Sequence, residues 1–198
     1  MSNNSSKFPI IVLILALCMI GFGLYNLNKI PNTKYPEFKP EFTLHSADKA
    51  VSFSDLSGKV SVIFFGYIHC PDVCPATLVN FGKVLRMLEE DEKQKVRALF
   101  IAIDHERDTP EMVTKYATYF HPDIIGLTGN KDELTVATKA FMVPFEKGEV
   151  NAKGNYTMNH GTYLYIMRPD GKLGELISHQ SSPEDIVESL RKWTKWAE

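Results

Sequence analysis

Hydrophobic positions along the chain switch between two periods. Val60–Tyr67 reads VSVIFFGY, a dense β-branched and aromatic run of the kind that forms a central strand covered on both faces. From Ala76 to Glu90 the period lengthens. Leu78, Phe81, Leu85 and Leu88 recur three or four residues apart and predict a helix, with Pro75 suited to its first turn. Val96–Asp104 (VRALFIAID) predicts a second buried strand. Asp108-Thr109-Pro110-Glu111 offers a capping oxygen, an early proline and a glutamate three residues after Asp108, and so opens a helix that runs to the region of Phe120. A short strand, Ile124–Thr128, and a helix, Lys131–Phe141, follow. Thr162–Arg168 and Lys172–Ser178 flank Pro169-Asp170-Gly171, a hairpin turn. Ser182-Pro183-Glu184-Asp185 caps a last helix with Ile186, Leu190, Trp193 and Ala197 on its apolar face. Glu41–Leu44 and Ala50–Phe53 read as a short leading hairpin.

The resulting order is β-α-β-α-β-α-β-β-α. Its early βαβ units require parallel strands joined by right-handed crossovers. The closing hairpin and helix are antiparallel additions. This is the layout of an α/β domain of thioredoxin-like fold, a central mixed sheet flanked by helices, and the fold by itself decides no function.

Before this domain lies FPIIVLILALCMIGFGLYNL, the run of 20 uncharged residues from Phe8 to Leu27. That length matches a transmembrane helix crossing ~30 Å of hydrocarbon, and a core helix hydrophobic on every face does not belong at an N-terminus. A cleaved signal peptide is the rival, with Gly21 and Gly23 as the small residues of a cleavage site, although its apolar region would be long. Leu17 precedes Cys18 where a lipidated cysteine needs a small residue, so Cys18 reads as an ordinary apolar position. Lysines flank both ends, and charge does not set the orientation. The expected division is residues 1–28 as membrane anchor, 29–40 as a linker containing Pro31 and Pro36, and 41–198 as the folded domain.

Composition narrows the function. The 198 residues are 44% hydrophobic with a net charge of −2, ordinary globular values that argue against nucleic acid as a partner. No basic run marks a lipid-binding surface. Three cysteines are too few for a disulfide framework.

The chemistry concentrates in Gly66-Tyr67-Ile68-His69-Cys70-Pro71-Asp72-Val73-Cys74-Pro75, which passes from a buried strand into a helix. A helix N-terminus favours thiolate over thiol. Cys70 and Cys74 can share one helical turn and there either bind a soft metal or close a disulfide. As structural residues they would be two small hydrophobes, which a proline-punctuated loop at a strand end argues against. Two features favour metal. The spacing has three intervening residues, not the two of a C-x-x-C redox motif. His160 opens the strand Thr162–Arg168, which in a thioredoxin-like fold starts beside the cysteine loop. Thioredoxins place a cis-proline there, but this chain has no proline between Phe145 and Arg168 and has Asn159-His160-Gly161 instead. Two thiolates and an imidazole suit Cu(I), whereas structural zinc fills a fourth position with protein.

Nearby residues are weaker candidates. His69 points away from its neighbour Cys70. Asp104 and His105 sit at a strand end on the cysteine side, Asp104 either orienting the site or shaping a turn, His105 either an accessory ligand or an exposed histidine. Met158 reads as an apolar strand-edge residue, and His45, His121 and His179 as loop residues. Glu146–Asn155 is a polar loop before His160, either a plain connection or a segment that closes on metal.

Taken together, the anchor, G-Y-I-H-C-P-D-V-C-P, I-D-H-E-R-D-T-P from Ile103 to Pro110, and Asn159-His160 before T-Y-L-Y-I-M-R-P-D-G resemble the Sco/SenC copper proteins of cytochrome c oxidase assembly. The resemblance covers the whole chain. It implies copper, as Cu(I) or Cu(II), on Cys70, Cys74 and His160, a redox-active Cys70–Cys74 pair, and Asp104, His105 and Asn159 as supporting positions. It implies a metallochaperone and not an enzyme, single-pass in the inner membrane with its domain in the periplasm, or the mitochondrial equivalent facing the intermembrane space. The implied partner is cytochrome c oxidase subunit II, which receives copper at its dinuclear site, with other copper chaperones or thioredoxin-like reductants as further partners. The alternative is a thiol–disulfide reductase that keeps the partner's copper-site cysteines reduced, and the two are linked because a disulfide cannot coordinate Cu(I). A peroxiredoxin-like peroxidase fits poorly, since Tyr67 and Pro71 stand where a threonine would precede the reactive cysteine. The family usually has proline at His105 and aspartate at Asn159, and the second change removes a charge beside the histidine.

Overall fold

A computed structural model describes residues 40–196, and before them the isolated positions Val12, Ala16, Met19 and Gly21. The chain divides into two units, Met1–Glu37 and Phe38–Glu198, and the second holds the sheet and helices. The expected anchor at 8–27 lies outside the described residues except at those four positions. Among the described residues no helix is long and apolar enough to cross a membrane.

The apolar run at Val60 forms the centre of the fold. β3 (Val60–Gly66) is buried at all seven positions. On one side it pairs in parallel with β4 (Val96–Ala102), in register from Val60 with Val96 to Gly66 with Ala102. β4 in turn pairs in parallel with β5 (Ile124–Leu127). On the other side β3 pairs antiparallel with β8 (Tyr163–Met167), and β8 with β9 (Leu173–Ser178), giving the order β5-β4-β3-β8-β9. The predicted parallel units and antiparallel closing hairpin are both present.

Successive side chains of β3 serve opposite faces. Phe64 packs on Phe81 of α1 (Val73–Met87) and on Phe100. Phe65 packs on Phe141 and Tyr165. Phe141 follows α4 (Lys131–Ala140) and also meets Phe42 and Phe53, which flank the leading hairpin of β1 (Thr43–His45) and β2 (Ala50–Ser52). On the Phe64 side, α1 packs against α3 (Pro110–Phe120) and α5 (Pro183–Trp196). Ile186 and Leu190 of α5 are buried as predicted, whereas Ala197 lies outside the described residues.

Local differences from the sequence reading have physical causes. α1 begins at Val73, three residues earlier than the apolar period suggests, because its first turn holds cysteine and proline in place of the aliphatic residues that carry the period. A single turn, α2 (Glu90–Lys93), is closed by its own capping box. The cap of α3 is Thr109, whose hydroxyl accepts from the Met112 N–H at 3.4 Å; Asp108 is turned elsewhere. His160 does not open the main strand. It ends β7 (Met158–His160), which pairs antiparallel with β6 (Phe145–Lys147) in a separate two-stranded sheet.

Gly126 of β5 lets α3 approach closely, since a Cβ there would lie 2.5 Å from the Val113 carbonyl oxygen and 3.0 Å from the Ala117 Cβ. Backbone cannot yield as a flexible side chain can. Gly126→Ala should lower unfolding stability by ~1–3 kcal/mol, read as a shifted urea midpoint with unchanged slope. An unshifted midpoint would show that α3 can back away freely.

Candidate metal centre

From Gly66 the chain leaves the sheet, passes through Tyr67–Asp72 and enters α1. The Cys70 N–H donates to the Tyr67 carbonyl at 3.3 Å, which curls the loop back on the strand end. Asp72 stands at the cap position of α1 but makes no side-chain cap bond. The Cys70 sulfur accepts from the Cys74 N–H at 3.4 Å instead. A sulfur thus satisfies one of the unpaired N–H groups of the first turn, where the helix end favours negative charge.

The two thiols are free and differently exposed, Cys70 half-buried and Cys74 fully buried. Cys74 sits over Gly66, where an added Cβ would come within 2.7 Å of its sulfur. Burial pushes the Cys74 thiol far up, against the opposing effect of a backbone hydrogen bond from Tyr67.

His160 is placed by three contacts. Its Nδ1 lies 2.8 Å from the Gly161 carbonyl oxygen. A carbonyl only accepts, so Nδ1 carries the proton and Nε2 holds the lone pair. Burial holds the imidazole below its ordinary pKa, which keeps that lone pair unprotonated. The ring stands 5.8 Å from the Tyr67 ring at 88° and 6.3 Å from the Phe64 ring. Tyr67 is buried, and that burial, opposed by the Met158 backbone and reinforced by Cys70, raises its phenol above the ordinary pKa. Tyr67 belongs to the cysteine loop, and its ring meets His160.

The three candidate ligands share one end of the sheet without converging. Among the described residues no three His, Cys, Asp or Glu side chains stand close enough to hold a metal ion.

The supporting candidates separate. Asp104 is 2% exposed; its Oδ1 accepts from the Tyr156 hydroxyl at 2.8 Å and its Oδ2 from Arg107 Nε at 2.5 Å. Burial, then the Asp104 carboxylate, push the Tyr156 phenol to about 12, so it stays a donor. His105 lines a shallow groove with His45, Thr128 and Asn130. Asn159 is exposed and pairs with Glu146 across β6–β7. His69 is half exposed, with Nδ1 3.6 Å from Asp108 Oδ1.

Asp108 is a site residue that the sequence reading assigned to a helix cap. Its side chain is buried and accepts from the Ile68 N–H at 3.0 Å, which pins the loop two residues before Cys70. Burial raises its pKa against that bond, and the nearby Asp104 adds to the rise. Arg107 and Tyr156 carry no role in the sequence pattern, and Tyr67 enters it only as part of the cysteine motif and against a peroxidase. The available signal was D-x-x-R-D directly after a buried strand, where fixed charges have to pair locally.

A thioredoxin-like domain with a dithiol at a helix start and a neutral imidazole on the adjoining hairpin defines the class. The SCO1/SenC family model matches residues 31–195, and the chain belongs to that family. It is 34% identical over 140 residues to the mitochondrial SCO2 homolog of Bos taurus, a match that covers 70% of this chain and 53% of that protein. The chain spans about half the length of such mitochondrial relatives. It is 31% identical over 207 residues to a SCO2-like protein of Rickettsia felis, covering 96% of this chain and 99% of that one. Among solved structures it resembles Bradyrhizobium japonicum ScoI with copper bound, at 36% identity and a TM-score of 0.71, covering 77% of this chain and 97% of that one.

The unequal thiols give a direct test. In the reduced protein at neutral pH, iodoacetamide should alkylate Cys70 at least ~10 times faster than Cys74, because only thiolate at an accessible sulfur reacts. Peptide mass spectrometry reads the order, and equal rates would contradict the burial of Cys74.

Proposed function

We propose that this chain is a membrane-anchored copper carrier. It holds copper on Cys70, Cys74 and His160 and passes it to the dinuclear copper site of cytochrome c oxidase subunit II during assembly. The observation that carries this reading is the Nδ1 bond of His160 to Gly161. It leaves Nε2 as a free donor at the same end of the sheet as two free thiols, a soft donor set that suits Cu(I) once drawn together. The likeness to copper-bound ScoI supports it. Binding closes the imidazole and the two sulfurs on the ion, and release proceeds by sharing thiolates with the acceptor's own ligands. Residues 8–27 anchor the chain, and the domain over 41–198 faces the periplasm, or the intermembrane space, where a cysteine pair can cycle between dithiol and disulfide.

Thiol–disulfide exchange with the same partner is the second reading, favoured by the Cys74 N–H on the Cys70 sulfur. The Cys70 thiolate attacks the partner disulfide and expels one thiolate. Cys74, losing its proton, then attacks Cys70 and expels the other. The partner gains the two electrons and Cys70–Cys74 becomes the disulfide.

Substituting Cys70, Cys74 or His160 with alanine should weaken Cu(I) binding by more than the ~10–100-fold lost when a group behind a ligand is removed. Anaerobic titration against a chromogenic Cu(I) chelator measures it, and unchanged binding by His160→Ala removes that ligand. In cells with stable variant protein, His160→Ala should support oxidase assembly as poorly as Cys70→Ala while still forming the Cys70–Cys74 disulfide. Near-normal oxidase activity for His160→Ala alone would favour exchange over carriage.

A further inference from the structure

His160 rides on a hairpin that buries little of itself. β6 and β7 pair over three residues each, and Met158 alone among these six is buried. The tip beyond them folds on its own backbone, with the Gly148 N–H donating to Thr157 and the Asn151 N–H to Asn155. One buried methionine, with Phe145 and His160 only partly buried, is a modest anchor for a strand that must present an imidazole in a fixed direction.

A polar cluster on the segment after β4 supplies what burial does not. Asp104 accepts from the Tyr156 hydroxyl at 2.8 Å and from Arg107 Nε at 2.5 Å. The Arg107 guanidinium carbon lies 3.5 Å from the centroid of the Tyr156 ring, and its Nη1 donates to the Tyr156 carbonyl at 3.1 Å. The ring is thus held at its hydroxyl, its face and its backbone by one ion pair. Lys147 Nζ stands 4.2 Å from the same centroid and pairs with Glu106 at 2.5 Å. That pair is exposed and screened by water, so it contributes little. The Asp104–Arg107 pair is sheltered, with side chains 2% and 21% exposed, and the charge-assisted bonds it makes to Tyr156 are correspondingly strong.

We propose that Asp104, Arg107 and Tyr156 form a latch that positions the His160 hairpin for copper. The latch rests on the carrier reading and adds a role for residues that touch no metal. Tyr156 lies four residues before His160, so fixing it restrains the strand that carries the imidazole before copper binds. Ordering completed in the free protein is not charged against the affinity. Arg107 and Tyr156 are positioning residues and act only through the imidazole.

The test is a double-mutant cycle for Cu(I) affinity on the full-length chain, by anaerobic competition with a chromogenic chelator. Tyr156→Leu and Arg107→Gln are measured with His160 present and with His160→Ala. Tyr156→Phe keeps the ring beneath the guanidinium and removes only the hydroxyl, so it stands in where Arg107→Gln fails to fold. With His160 present, Tyr156→Leu and Arg107→Gln should each weaken binding about tenfold, and Tyr156→Phe less. In the His160→Ala background the same changes should alter affinity by less than about twofold, because the group they position is gone. The Cu(II) EPR signal of the latch variants should move toward that of His160→Ala. Equal losses in both backgrounds would make the cluster merely structural and overturn the latch. Unchanged affinity with His160 present would overturn it as well. A native chain that fails to bind Cu(I), or binds it equally well as His160→Ala, would instead overturn the carrier reading and the latch with it.

Discussion

The contact between the Cys74 sulfur and the bare Cα of Gly66 is the constraint on which the rest of the site depends. β3 is buried on both faces up to its last residue, so the helix that follows it has to start against a packed surface. A side chain at Gly66 would meet the Cys74 sulfur at 2.7 Å and Phe100 Cε2 at 2.8 Å. Without one, the first turn of α1 settles onto the strand end and Cys74 becomes part of the core. The Cys70 sulfur then reaches the Cys74 N–H, and Tyr67 comes to lie against His160. The close approach of one strand end and one helix start thus orders the sulfurs and brings Tyr67 against the imidazole, at the same end of the sheet.

The segment from Asp104 to Asp108 carries this order outward. Two buried carboxylates would be costly if left alone, and each is offset by a different part of the site. Asp104 meets Arg107 and the Tyr156 hydroxyl on the His160 side. Asp108 meets the Ile68 N–H on the cysteine side. It is the less compensated of the two, with Oδ1 having no hydrogen-bond partner among the described residues and the His69 ring 3.6 Å away. Its raised pKa follows from burial and from the neighbouring Asp104. A single five-residue stretch therefore joins the loop that bears the thiols to the hairpin that bears the imidazole.

The elements legible in the sequence were those with a repeating pattern. The double-faced strand at Val60, the helix carrying Leu78 and Phe81, and the turn at Pro169-Asp170-Gly171 all announce themselves through period or turn chemistry. The early start of α1 at Val73 was hidden because Cys74 and Pro75 carry no helical period. β6 and β7 were missed because their strands are three residues long and mostly polar, and their pairing is decided by long-range contacts and not by alternation. The cysteines and His160 could be picked out because their chemistry is unusual for a core. Asp108 could not, since an aspartate before Thr-Pro looks like a cap, and only its burial and the bond it accepts from the Ile68 N–H reveal that it faces inward.

The site divides into a rigid half and a lightly held half. Cys74 belongs to the core, and Cys70 is fixed to it through the helix backbone. His160 belongs to a hairpin whose burial rests on Met158 with partly buried Phe145, and whose position rests on ring contacts to Phe64 and Tyr67 and on polar contacts at Tyr156. Local opening free energies follow burial, so once the Tyr156 contacts release, the hairpin would open at less cost than β3 or α1. For a carrier this asymmetry has a direction. Under the carrier reading proposed above, sulfurs held on the core would retain the ion, and the imidazole, packed edge-on against Phe64 and Tyr67, would be the donor that yields its place to an incoming thiolate. A site with all three donors on rigid elements would bind as tightly but would have to deform its core to release. In that reading, placing the nitrogen donor on the hairpin would let release proceed without unpacking β3 or α1.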